Sequence, residues 1–180
     1  MDVVAKPRVV RPRKIASQTV SLVVIGLFGS GKSKFIESIS QYTEWQSEPG
    51  RSWYFGRVRV DKRLILHFLE PPTDELFDFI WVRELVTKLN ATGYIVMLDS
   101  TRPKLFGEFL SVLYTIRGLH PETPCVVAAN KQDHERAWKP EDLRLGLGIN
   151  DDIPVLPCVA KDRESVKNVV LELLYRVLDM

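Results

Sequence analysis

Hydrophobic positions along the chain fall into two alternating patterns: short continuous apolar runs and longer stripes at helical spacing. The run 19–25 is β-branched and apolar and stops at Gly26, which predicts a buried strand entering a turn. Phe35, Ile36 and Ile39 follow at the spacing of one helix face. The stretch 41–50 is polar. Residues 53–69 then hold two runs separated by Asp61 and Lys62, with Arg57 and Arg59 alternating against Val58 and Val60. That alternation predicts a β-hairpin whose first strand has one wet face.

The rest of the chain repeats the helix–strand rhythm. Phe77, Ile80, Trp81, Leu85 and Leu89 form a helical stripe, and 94–98 reads as a strand covered on both faces. Phe106, Phe109, Leu110 and Leu113 make the next stripe, and 125–129 the next buried strand. The segment 153–159 carries Pro154 and Pro157, which lack a ladder donor, so it is expected at a sheet edge. Val166, Val169, Val170, Leu173, Leu174, Val177 and Leu178 form the closing helix. Together these elements predict an α/β fold in three α/β/α layers. Its sheet should be mostly parallel and six-stranded, with one antiparallel edge hairpin and ligands at the carboxyl ends of the strands.

Composition narrows the picture only modestly. A chain of 180 residues with 45% hydrophobic content suits one domain, assigned here to 17–180. Net charge is +2 with both signs mixed along that domain, which argues against a nucleic-acid surface. Residues 1–16 differ: Lys6, Arg8, Arg11, Arg13 and Lys14 lie among Pro7 and Pro12, the composition of a disordered basic tail. Such a tail could make a weak peripheral contact with an anionic membrane or an acidic partner. No apolar run reaches membrane-spanning length. Cys125 and Cys158 each lie in an apolar run, which suits reduced thiols in a cytoplasmic protein.

The first chemical motif is Gly26-Leu27-Phe28-Gly29-Ser30-Gly31-Lys32-Ser33, a full match to the phosphate-binding loop pattern G-x-x-x-x-G-K-[ST]. A polyphosphate needs many donors at close range, and Gly26, Gly29 and Gly31 let the backbone wrap so that N–H groups, including that of Ser30, point inward. The helix opening at Lys32, Ser33 and Lys34 adds its positive end. Lys32 is expected to reach the β- and γ-phosphates, and the Ser33 hydroxyl to ligate Mg²⁺.

The second motif, Asn130-Lys131-Gln132-Asp133, follows the apolar run 125–129. A carboxylate at Asp133 can accept from both the ring N–H and the exocyclic amine of guanine, a donor pair that adenine lacks. Asn130 can brace neighbouring loops, and the Lys131 stem can lie on the base.

These two motifs, in this order and on these elements, resemble the Ras-like small GTPase superfamily over nearly the whole chain after the basic tail. The resemblance implies a P-loop NTPase fold, GTP or GDP with Mg²⁺ as ligands, and a switch coupled to GTP hydrolysis. Cys158-Val159-Ala160-Lys161 looks like the family's serine-alanine-lysine loop, which implies that the Ala160 N–H meets the guanine oxygen and Lys161 stacks on the base. The run 99–103 and the surroundings of Asn130 look most like bacterial small GTPases of the gliding-motility, polarity-switch type. That likeness implies a protein effector or regulator of the roadblock family.

The resemblance weakens at the switches. Where relatives carry Asp-x-x-Gly followed by a glutamine, this chain reads Glu70-Pro71-Pro72-Thr73-Asp74. Glu70 could hold Mg²⁺ through a water, but Thr73 lacks the φ freedom of glycine and Pro71 and Pro72 stiffen the approach. Asp74 places a carboxylate where the transferring phosphoryl group needs a donor, so hydrolysis should be slow. In the first switch no threonine stands at the usual position; Thr43 is early, and Ser47 and Ser52 are substitutes. Trp45, Trp53, Tyr54 and Phe55 are expected mainly to pack the hairpin or core, with a partner-binding aromatic patch as the alternative. A catalytically silent nucleotide-binding module that recruits partners therefore stands beside the switch reading.

Overall fold

A computed structural model of the protein describes residues 18–48, 51–72, 83, 87 and 90–178. The basic tail, the helical stripe from Phe77 to Leu89, and Thr73 and Asp74 lie outside the described residues. Strand β1 (Gln18–Gly26) is followed by α1 (Lys32–Ile39), then β2 (Tyr42–Glu48), β3 (Arg51–Arg59) and β4 (Leu64–Glu70). After β5 (Gly93–Asp99) come a short 3-10 turn (Pro103–Leu105), α2 (Phe106–Leu119), β6 (Cys125–Asn130), α3 (Pro140–Leu147), β7 (Val155–Pro157) and α4 (Arg163–Leu178).

The strands form one sheet in the order β2-β3-β4-β1-β5-β6-β7. β1 pairs in parallel with β4 and β5, and β5, β6 and β7 continue in parallel; β3 alone runs against its neighbours. The expected α/β class and layering are found. The strand count is seven rather than six, because the polar stretch after α1 is the outer strand β2, paired along its length with β3. Its side chains give no apolar alternation; Trp45 instead stacks on Tyr54 at 4.5 Å, and the Arg57 guanidinium lies over the Tyr42 ring. The β3–β4 turn is also wider than two residues. The Asp61 carboxylate accepts the N–H groups of Arg63 and Leu64, at 2.6 and 2.8 Å, and so folds the turn on itself.

Period-2 alternation sorts the strand residues onto two cores. Leu22, Val24, Phe68, Ile95, Met97, Val126 and Ala128 face α1 and α4, where Phe35, Ile36, Val166, Val169 and Leu173 meet them. Val23, Ile25, Tyr94, Val96, Val127 and Ala129 face α2 and α3, meeting Phe109, Val112, Leu113, Ile116 and Leu143. β7 lies at the sheet edge, consistent with Pro157 within it and Pro154 just before it. The closing helix buries its stripe only as far as Leu173; Leu178 is exposed. Both cysteines are buried free thiols. No described helix is long and apolar enough to cross a membrane.

Because β1, β4, β5 and β6 run the same way, their carboxyl ends lie along one edge of the sheet. Gly26, Glu70, Asp99 and Asn130 are the last residues of those four strands.

Candidate functional site

The loop after β1 is shaped by two glycines that an L side chain would disturb. Gly29 and Gly31 have φ of +77° and +102°. A Cβ on Gly31 would run into the Asn130 amide, so the glycine is needed for space as well as conformation. Gly26 is buried, whereas Phe28 stands exposed on the rim.

Lys32 opens α1 yet is only 4% exposed; its ammonium donates to the Leu27 carbonyl at 3.1 Å and lies 3.9 Å from Glu70 Oε1. Burial pulls the Lys32 pKa below the ordinary lysine value, and Glu70 partly restores it. Burial likewise raises the Glu70 pKa, eased by Lys32 and by the Ser33 hydroxyl. Two desolvated charges of opposite sign thus sit together under the loop. Two oxygens there have no protein partner: Ser30 Oγ and Glu70 Oε2 are buried without a hydrogen bond among the described residues. Lys34 stands apart, with its ammonium paired to Glu37 on the exposed face of α1.

Asn130, at the end of β6 and 3% exposed, joins the two expected motifs. Its Nδ2 donates to the Ser30 carbonyl at 2.8 Å, and its Oδ1 accepts the Ala160 N–H at 2.9 Å. One side chain therefore ties the phosphate loop to the loop after β7. The Ala160 amide, expected to meet a guanine oxygen, is here engaged by Asn130.

Lys131 takes a left-handed backbone, φ +67°, and its ammonium bonds Asp99 Oδ2. Burial would raise the Asp99 pKa, but the bonds from Lys131 and from Thr101 outweigh it and hold the carboxyl below its ordinary value. In the sequence Asp99 stands only within the run 99–103 that carries the resemblance. Its position at a parallel strand end was the signal that could have marked it as a site residue. Gln132 closes the same loop through Ser100 Oγ and the Trp138 carbonyl. Asp133 and Lys161 face each other across the outer rim at 2.6 Å, both largely in solvent. The Lys161 hydrogen bond lowers the Asp133 pKa, and Asp133 raises that of Lys161.

The first-switch candidates lie on the β2–β3 hairpin, whose inner strand pairs Tyr54 with Glu70. Ser47 and Ser52 lie opposite each other on β2 and β3, hydroxyl to hydroxyl at 3.3 Å, and exposed. Thr43 is on β2, the outermost strand. The aromatic group divides: Tyr54 is buried, Trp53 and Phe55 are half-buried, and Trp45 is 58% exposed.

The residues present fit a polyphosphate with a hard cation. The glycine-built loop, the buried ammonium and the helix start supply donors, while the Ser33 hydroxyl and the unpartnered Glu70 oxygen are the kind of ligand Mg²⁺ takes. No group of three His, Cys, Asp or Glu converges among the described residues. A Mg²⁺ ion here would complete its shell with phosphate and water oxygens, its usual mode at nucleotide sites.

Known proteins share part of this sequence and the fold. The chain is 29% identical over 129 residues to ADP-ribosylation factor-like protein 10 of Mus musculus, covering 71% of this chain and 51% of that protein. It is 26% identical over 131 residues to ADP-ribosylation factor-like protein 9 of Homo sapiens, covering 72% and 68%. The chain thus spans about half the length of the first of these relatives. Its structure matches the G domain of the T. maritima FeoB iron transporter with a TM-score of 0.65 and 17% identity, over 90% of this chain and 98% of that one. That match shows the fold, which is that of a P-loop GTPase. No protein-family model matches the chain. In sequence the chain is thus similar to ADP-ribosylation factor-like proteins, and these relatives give no support to the gliding-motility type.

Proposed function

We propose that the chain binds GTP and GDP with Mg²⁺ and works as a small GTPase switch with slow intrinsic hydrolysis. The observation that carries this reading is the Asn130 side chain, which bonds the Ser30 carbonyl on one side and the Ala160 N–H on the other. A P-loop by itself serves many nucleotide chemistries. Fastened through Asn130 to a loop bearing Asp133 and Lys161, it belongs to a site built to hold a phosphate chain and a base together. In that site Lys32 and the loop amides would bind phosphate oxygens, Ser33 would hold Mg²⁺ directly and Glu70 through a water, and Asp133 would read the guanine edge. Mg²⁺ supplies charge neutralisation on the phosphates when bound.

Slow hydrolysis follows from what surrounds Glu70. Its carboxylate is already opposed to Lys32, and Pro71 and Pro72 after it are buried, so the start of the second switch has little freedom. The sequence then offers Asp74, an acceptor, where catalysis of phosphoryl transfer calls for a donor. The same features favour a second reading, a catalytically silent guanine-nucleotide module that recruits a protein partner. An effector or regulator belongs to either reading. A roadblock-family partner rests only on the likeness to the gliding-motility type, which the sequence relatives do not support, and a peripheral membrane contact rests on the charge of residues 1–16.

Calorimetric titration of GTP, GDP and ATP, with and without Mg²⁺, tests the proposal, followed by single-turnover hydrolysis on the same sample. Guanine nucleotides should bind and ATP should not. Absence of heat with both GTP and GDP would overturn the reading, equal ATP affinity would remove guanine selectivity, and tight GTP binding without turnover would select the silent module.

A further inference from the structure

A second positive group approaches the phosphate loop from the side opposite Lys32. β1 lies between β4 and β5, so the loop that follows it has a flank on each side. On the β4 flank are Lys32 and Glu70. On the β5 flank is Arg102, whose Nη1 lies 3.4 Å from where a Cβ on Gly29 would stand. Gly29 leaves room for it, having no side chain and a left-handed backbone.

The base of that arginine is held firmly. Its N–H donates to the Asp99 carbonyl at 3.3 Å, its own carbonyl accepts the Leu105 N–H at 3.0 Å, and Pro103 follows at the start of the 3-10 turn. The neighbouring carboxylate is already engaged: Asp99 Oδ1 accepts the N–H and hydroxyl of Thr101, and Oδ2 accepts Lys131. Arg102 forms no ion pair among the described residues.

We propose that Arg102 is a second phosphate-binding cation of the nucleotide site, contacting the phosphates common to GDP and GTP; this rests on the nucleotide-binding reading above. The charge balance calls for one. Lys32 shares its charge with Glu70, so the β4 flank alone is close to neutral where a multiply charged anion must bind. A guanidinium presents donors in a planar fork matched to phosphate oxygens. Gly29 lies in the backbone cradle, the part of such a loop that holds the α- and β-phosphates, whereas the lysine reaches toward the γ-phosphate. Contact on the Gly29 flank should therefore serve both nucleotides alike.

The test uses the full chain as Arg102→Ala and Arg102→Lys, with Mg²⁺, titrated with GDP and GTP at low and moderate salt. Arg102→Ala should weaken both nucleotides by about 10- to 100-fold, the worth of one charge-assisted bond. Its salt dependence should be shallower than that of the parent chain, and Arg102→Lys should recover part of the affinity. Unchanged affinity for both nucleotides, a loss confined to GTP, or a loss fully matched by lower thermal stability of the nucleotide-free variant would overturn the proposal. If the parent chain itself binds neither GDP nor GTP, it is the nucleotide-binding reading that fails.

Discussion

The two ends of the site hold their charges in opposite ways. At the phosphate end, Lys32 and Glu70 are taken out of water together, and burial moves both pKa values against ionisation. At the base end, Asp133 and Lys161 pair in solvent, with side chains 41% and 68% exposed. A charge already stripped of water interacts strongly with an incoming anion and is costly to leave alone. A pair in water is cheap to make and to break, so its residues can exchange partners freely. On the proposed reading, the phosphate end would be built for strength and the base end for discrimination, and the Asn130 side chain bonds to both loops.

The harshest test of that contrast is Lys32→Ala. It removes the buried ammonium and strands Glu70 beneath the loop, so GTP affinity should fall by about a thousandfold or more, on the order of 4 kcal/mol. Isothermal titration of GTP with Mg²⁺ measures it; affinity within tenfold of the parent would mean that the phosphate end does not depend on its desolvated cation.

At the other end, Asp133→Asn should leave the fold intact and change which base is preferred. Guanine offers two donors to a carboxylate, and an amide presents a donor of its own to one of them. The site should lose guanine affinity by about 100-fold or more and gain relative preference for xanthine nucleotides. Competition between GTP and XTP reads this directly, and undiminished guanine selectivity would take the base-reading role from Asp133.

Asn130→Ala tests the link. It leaves the Ser30 carbonyl and the Ala160 N–H without their buried partner, at a cost of about 2–4 kcal/mol. For a domain of this size that corresponds to a fall in melting temperature of roughly 5–15 °C, and both nucleotide affinity and base selectivity should suffer together. A variant that loses only one of the two would show that the ends are not joined through this side chain.

That the glycine loop and the buried strands could be read from the sequence while other parts could not has a physical basis. Gly29 and Gly31 are obligatory because their φ values admit little else, and the apolar runs of β1, β5 and β6 are continuous because both sheet faces are covered. Such constraints leave a mark in residue type at fixed spacing. β2 leaves none: Tyr42, Glu44 and Gln46 alternate with Thr43, Trp45 and Ser47, so neither face is apolar, and its pairing with β3 uses backbone groups every residue has. α3 carries no legible stripe, because a helix from Pro140 to Leu147 has room for little periodicity, with Leu143 buried and Leu145 exposed. Its ends were nevertheless marked, by Pro140 and two acids in the first turn and by Gly148 in a left-handed cap. At the base end, the motif located Asn130 and Asp133, but the Lys131–Asp99 and Lys161–Asp133 pairs join residues far apart in the chain, and local spacing carries no trace of them.

Acid sensitivity separates the buried from the exposed pairs with a smaller effect. Asp99 is 6% exposed, and its pKa is held below the ordinary 3.8 despite burial. A depressed carboxyl contributes stability at pH above its unfolded value, and that contribution disappears as pH falls through the folded value. Asp99→Asn should therefore cost about 1–2 kcal/mol near neutrality, with the gap to the parent closing below about pH 3.8. Thermal melts of the two proteins from pH 7 to pH 3 check it, and a gap that widened in acid would reverse the sign assigned to this pair.

Lys161→Ala should show the least of all in stability. Its raised pKa and the lowered pKa of Asp133 give the pair a contribution that is present through the neutral range, lost in acid as Asp133 protonates and lost in alkali as Lys161 deprotonates. Both groups are bathed in water and salt, so the melting temperature at neutral pH should move by no more than about 1 °C. The consequence belongs in binding. Freed from Lys161, the Asp133 carboxylate is more available to the base edge, but the base loses whatever cover the lysine stem supplied. The two effects have different salt dependences, because only the ion pair is screened. Guanine nucleotide affinity of the variant relative to the parent should therefore be highest at low salt, where the pair competes most strongly, and should decline as salt rises. A ratio independent of salt would mean that Asp133 and Lys161 do not compete with the nucleotide for each other, and the base end would no longer differ from the phosphate end in the way its exposure implies.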